Sequence, residues 1–204
     1  MEKFLSLPVE KQNKIIDAAL KAFSTNGYKK TSVSDVATAA GISKAMVFHY
    51  FGAKKDLYFY LVNLCGETIV NEITEKFDYR VEDFFERIKL STGIEISVMK
   101  KHPSIPSFLA SMYFENDKEV RDDIKAILAR SEGERNKIAL DGVDYSKFKD
   151  EKDIKPLMKM LIWIGDGYAN QMKNKPKLDY DEMYREFEEC LELLRKSLYK
   201  EEYL

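Results

Sequence analysis

"SKAMVFHYFGAKKDL", residues Ser43 to Leu57, sets four ring-bearing side chains, Phe48, His49, Tyr50 and Phe51, in succession. A Ser-Lys pair precedes them, and a glycine and two lysines follow. A segment of about two helical turns cannot bury that much ring surface by itself. Some rings must pack on other elements, and the rest must be free to meet a partner. The residues just upstream, "TSVSDVATAAGIS", give the context. Val33, Val36, Ala37 and Ala40 form a small apolar stripe at helical spacing, and Gly41 ends it. Ile42 and Ser43 complete a tight turn, and Ser43 suits the N-cap of a third helix over 44–50. Helix, three-residue turn with glycine, and short helix is the sequence form of a helix-turn-helix.

That geometry accounts for the residue types. A recognition helix lies in the major groove of duplex DNA with its N-terminal residues at base edges. Small or unbranched side chains are needed there, and Lys44, Ala45 and Met46 fit. Val47 and Phe51 are expected to point inward. His49 and Tyr50 are expected to flank the groove, where an imidazole or hydroxyl can bond a phosphate oxygen. Lys54 opens the next helix, where its charge adds to backbone amides that already favour an anion. The ring cluster reads as half core and half phosphate clamp.

Working outward, almost every segment reads helical. The helix before the cluster follows Pro8, carries Ile16, Ala19, Leu20 and Phe23 at helical spacing, and stops at Asn26-Gly27. Ser32 followed by Asp35 approximates a capping box. Downstream, helices are predicted from about 53 or 54 to 76, 81 to 100, after Pro106, 117 to 139, 154 to 173, and 180 to 199. A polar connector covers 140–153, and Pro176 is expected to break the chain. No alternating runs bounded by hairpin turns occur. The expectation is an all-α chain of about nine helices.

The chain has 204 residues and a net charge of −2, which hides an asymmetry. Residues 1–60 hold nine lysines against five acids; residues 61–204 hold 24 basic and 30 acidic side chains. A basic head on an acidic body implies that only the head meets a polyanion. Cys65 and Cys190 lie far apart on helical patterns and read as buried free thiols. Two cysteines and two histidines without ligand spacing exclude a zinc site. No apolar run approaches membrane-spanning length, and "MEKFLSLPVEKQNK" lacks a secretory pattern, so a cytoplasmic protein without membrane contact is expected. No Gly-rich phosphate loop or Ser/His/Asp ordering stands out. Glu188-Glu189 and Asp122-Asp123 lie on charged helix faces. Catalysis is not expected, and no cofactor is implied.

The stretch "IIDAALKAFSTNGYKKTSVSDVATAAGISKAMVFHYFGAKKDL", Ile15 to Leu57, resembles the DNA-binding region of the tetracycline-repressor (TetR) family of bacterial transcriptional regulators. The matching marks are Phe-x-x-x-Gly-Tyr, Thr-Ser-Val, Ala-Gly-Ile-Ser, His-Tyr-Phe and Lys-x-x-Leu. Phe48 stands where that family often has tyrosine, and Met46 where a small hydroxyl residue is common. The resemblance implies a helix-turn-helix domain over 1–52 and a helical effector-binding and dimerisation domain over 53–204. It implies a homodimeric repressor released from a palindromic, double-stranded DNA operator by a small molecule. Candidate DNA contacts are Ser32, Ser43, Lys44, Ala45, Met46, Phe48, His49, Tyr50 and Lys54. Candidates to line an effector cavity are Phe84, Phe85, Ile88, Phe108, Met112, Ile127, Ser131, Trp163 and Asp166, which favours an apolar or aromatic effector. A dimer through the last two helices would use Phe187, Leu191, Leu194 and Leu198. A dimeric architectural protein without an effector is the competing class.

Overall fold

The computed structural model describes residues 1–174 and 178–204, with Asn174 described by its backbone alone. The expected break at Pro176 lies outside the described residues. Among the described residues there are ten α-helices and no strands beyond one isolated bridge, Phe148 to Tyr199. They are α1 (Glu2–Leu5), α2 (Val9–Lys30), α3 (Val33–Ala40), α4 (Lys44–Phe51), α5 (Lys54–Lys76), α6 (Phe84–Lys101), α7 (Ser104–Tyr113), α8 (Arg121–Leu140), α9 (Ile154–Asn174) and α10 (Tyr180–Leu198). The extra helix relative to the sequence expectation is α1. Four residues are too few to give a readable period, and a helix that short holds only through its packing.

Two compact units emerge, and neither is one run of chain. The first is Met1–Thr68 with His102–Leu128; the second is Ile69–Lys101 with Ala129–Leu204. The first unit therefore extends well past residue 52. The reason is α7. Phe108 is fully buried, with its ring 5.5 Å from Tyr58 and 6.5 Å from Phe23. Ser111 Oγ adds a bond to the Phe23 carbonyl at 3.2 Å. Once α7 covers α2, the apolar stripe of α2 (Ile15, Ala19, Leu20, Phe23) is closed off from water. Transfer of such side chains from water is worth about 1.5–3 kcal/mol each, which ties α7 to this unit.

The second unit is built around Phe84, Phe85, Val143, Phe148, Leu157, Phe187, Leu191 and Tyr199. Its polar anchor is Arg87, only 1% exposed. Nε donates to the Ile138 carbonyl at 2.9 Å and Nη1 to the Val81 carbonyl at 2.6 Å, while the guanidinium lies 5.0 Å from the Phe77 ring. A buried guanidinium holds its place because carbonyls and a ring face replace water around it. Ile138 sits in the last turn of α8, whose carbonyls lack helical partners, so Arg87 also satisfies a helix end.

Candidate nucleic-acid interface

The candidate interface is built within the first unit. Ser32 N-caps α3 through a bond from Ser34 N at 3.1 Å, one residue earlier than a capping box with Asp35 would place it. Gly41 follows α3 at φ 70°, ψ 34°, the left-handed turn that glycine adopts without strain. The Ile42 and Gly41 amides then close back on the Ala37 and Thr38 carbonyls. Ser43 N-caps α4, its Oγ accepting from Met46 N at 3.2 Å. The turn between α3 and α4 is thereby fixed at both ends, and α4 is aimed by it.

On α4 the division of faces is clear. Val47, Tyr50 and Phe51 are buried; Lys44, Ala45, Phe48 and His49 are exposed; Met46 is half-buried at the edge. The inward placement of Val47 and Phe51 matches expectation. Tyr50 does not flank an open face as expected: it keeps only 4% of its surface, its ring set edge-on to Phe4 at 6.0 Å. The spacing explains this, since positions 47, 50 and 51 share one side of a helix. Phe48 is 41% exposed, and Lys44 Nζ lies 5.9 Å from its ring centroid. An outward phenyl beside a lysine can offer apolar contact and positive charge together.

Lys54 begins α5 and is half-buried. Its Nζ sits 4.3 Å from the Tyr28 ring centroid and 3.4 Å from the Lys29 carbonyl oxygen. Asp56 caps this helix, accepting from Ala53 N at 2.9 Å. The Gly-Tyr-Lys turn beneath Lys54 is itself braced. Gly27, at φ 69° and ψ 176°, interrupts the helix at the expected place, and helical turns resume beyond it to Lys30. The freed Tyr28 amide donates to Glu115 Oε2 at 2.6 Å, and Glu115 Oε1 accepts from the Asn116 and Asp117 amides, both at 2.9 Å. Neither Glu115 nor Phe4 is signalled by the sequence: each acts at long sequence separation, with no local pattern to mark it.

The cavity candidates are divided between the two units. Phe108, Met112 and Ile127 belong to the first unit, where the first two are buried. Phe84 and Phe85 are fully buried in the core of the second unit, with Ile88 packed on the same cluster. Ser131 and Asp166 are half-buried, and Trp163 is 59% exposed. The interface candidates lie on α10. Phe187 and Leu191 are buried in their own chain's core, and Leu194 and Leu198 pack against it. The heptad-like stripe of α10 is used in part within its own chain, with Leu194 and Leu198 left half-buried. The apolar residues left exposed on α9 and α10 are Met160, Ile162, Trp163 and Leu193.

The described residues are helical, and α3 and α4 form a capped helix-turn-helix with an outward, basic and aromatic face, the form of a DNA-binding module. Residues 15–61 match the family model described as "Bacterial regulatory proteins, tetR family". The match is confined to that N-terminal module and takes in α3, α4 and most of α2. The chain is 32% identical over 78 residues to IcaR of Staphylococcus aureus (strain Newman), a "Biofilm operon icaADBC HTH-type negative transcriptional regulator". That match takes in 37% of this chain and 42% of IcaR, so the chain spans less than half of that relative's length. Among solved structures, a TetR family regulator from Chloroflexus aurantiacus is similar at TM-score 0.69 and 19% identity, covering 98% of both chains. FadR of Bacillus subtilis, solved with stearoyl-CoA, is similar at TM-score 0.69 and 22% identity, covering 88% of this chain and 96% of that one. Identities at this level carry the fold alone. All three of these proteins are described as transcriptional regulators. No helix among the described residues is long and apolar enough to cross a membrane.

Proposed function

We propose that the protein is a homodimeric transcriptional regulator that represses from a palindromic operator and is released by a small apolar or aromatic effector. The observation that carries the DNA-binding part is the exposed face of α4, where Lys44, Ala45, Phe48 and His49 stand together on a helix capped and aimed by Ser43. Phosphate attraction would come from the lysines and base discrimination from the start of α4. A dimer follows from the apolar surface left on α9 and α10, since Trp163 and Leu193 are 59% and 68% exposed. Two copies sharing that surface would form a symmetric four-helix contact. The effector reading is supported by the likeness to FadR, whose crystal holds stearoyl-CoA.

The deciding experiment is selection from a random duplex pool with the unmodified chain. An enriched inverted repeat, with half-sites about one helical turn apart and affinity falling steeply with salt, supports the reading. Enrichment of no inverted repeat rejects it. For the effector, linkage requires that any ligand that releases DNA binds the DNA complex more weakly than the free dimer. Apolar and aromatic compounds, acyl-CoA included, are the set to screen by thermal shift. A dimer that holds its operator whatever is added is the architectural alternative.

A further inference from the structure

The geometry points to Phe4 as a positioning residue for the recognition helix, a role that rests on the DNA-binding reading above. Phe4 lies on α1 and has no exposed surface. Its ring centroid is 4.7 Å from that of Phe51, 5.5 Å from Tyr60 and 6.0 Å from Tyr50. Tyr50 and Phe51 are the last two residues of α4, and Tyr60 is on α5. Phe4 is thus the one ring of this group that comes from neither helix, and it is wedged against both.

The recognition helix needs such a wedge. It has eight residues and ends at Gly52, whose φ is 85°. A helix that short has little stability of its own, so packing sets its direction. The wedge is fastened in turn. Gln12 on α2 donates through Nε2 to the Leu5 carbonyl at 3.1 Å and the Leu7 carbonyl at 2.8 Å. The α1 segment is therefore tied to α2 at one end and plugged beneath α4 by Phe4. Removing the ring opens a void under the C-terminal half of α4, and the helix can tilt about its Ser43 end. A tilt moves Lys44, Ala45, Phe48 and His49 off fixed base edges. Attraction to phosphates tolerates such movement, whereas base readout does not.

The test compares Phe4→Ala, Phe4→Leu and Gln12→Ala with the unmodified chain. Two labelled duplexes are used, the inverted repeat that the unmodified chain enriches and a shuffled duplex of the same composition. For Phe4→Ala, affinity for the repeat falls about tenfold or more while the shuffled duplex changes by less than about threefold, because only base contacts depend on the helix angle. Phe4→Leu restores most of the ratio, and Gln12→Ala gives the same pattern more weakly. Native-state hydrogen exchange supplies a readout without DNA. Amides of 43–52 exchange about tenfold faster in Phe4→Ala while those of 33–41 keep their protection, as expected of a local opening. Equal loss on both duplexes with uniformly faster exchange overturns the proposal and makes Phe4 an ordinary core residue. If Phe4→Ala does not fold, Gln12→Ala decides: an unchanged ratio and unchanged exchange at 43–52 overturn it as well. If the unmodified chain enriches no repeat, the DNA-binding reading fails on its own, and the exchange data still decide whether Phe4 orders α4.

Discussion

Lys54 has two uses for one charge, and they can be separated. Its Nζ faces the Tyr28 ring at 4.3 Å and the Lys29 carbonyl at 3.4 Å, yet it stands at the first residue of α5, where a phosphate would also be drawn. Lys54→Met keeps the stem length and removes the charge. At a half-exposed site the cation–π contact is worth about 0.5–1 kcal/mol, so chemical denaturation should register a loss of that size. A lysine that also neutralises one phosphate changes the slope of log affinity against log salt by about 0.9. Fluorescence anisotropy of a labelled duplex between about 50 and 200 mM salt resolves such a difference. The expected result is both effects together, with specific and random duplexes weakened by the same factor. Met46→Ala should instead change base preference and leave the slope alone, since the start of α4 meets base edges. A stability loss with an unchanged salt slope for Lys54→Met refutes the reasoning. The charge would then stay with Tyr28 in the complex, and the phosphate contact would belong elsewhere.

Glu115→Ala strips acceptors from the Tyr28, Asn116 and Asp117 amides, which stand at 2.6–2.9 Å; a loss of about 1–3 kcal/mol is expected by urea denaturation. Trp163→Glu with Leu193→Glu should give a folded monomer by analytical ultracentrifugation, whereas Leu191→Glu should unfold the body, because Leu191 has no exposed surface. An unchanged dimer for the Trp163/Leu193 pair would move the interface off this face. Burial pushes the Cys65 thiol up to about 12 while Cys190 is exposed. A thiol reagent at mildly alkaline pH should therefore label Cys190 first and reach Cys65 only after denaturation.

Helix boundaries were legible because they are local. Apolar spacing, Ser43 as cap and Gly41 as stop each act within a few residues, and α3, α4 and α5 fall within a residue or two of expectation. Partition into units was not legible, because it depends on which apolar stripe meets which. The stripe of α7 carries Phe108 and Met112, and nothing in its spacing says whether it faces a cavity or α2. In the fold it meets Phe23 and Tyr58, and the two residues are core. The same ambiguity applies to α10. A stripe of Met183, Phe187, Leu191, Leu194 and Leu198 reads equally as an interface or as an inner face, and the chain's own Phe84, Phe85 and Tyr199 reach part of it first.

The four rings of 48–51 divide by helix geometry, and the division carries a functional consequence. Tyr50 and Phe51 turn inward and are met by Phe4 and Tyr60, while Phe48 and His49 turn outward. Periodicity alone predicts the inward turn of Phe51, since 47 and 51 are one turn apart. Tyr50 follows from the same spacing, since 47, 50 and 51 share one side of the helix, but only if a surface is there to meet it. Phe4 offers one, from a segment whose single apolar contact gives no period to read. The Tyr50 ring packs edge-on to Phe4 on the side of the helix away from Phe48 and His49. If α4 enters the major groove as proposed, the outward phenyl at 48 would stand near base edges. A side chain without hydrogen-bonding groups reads apolar features there, such as a thymine methyl, rather than donor and acceptor patterns.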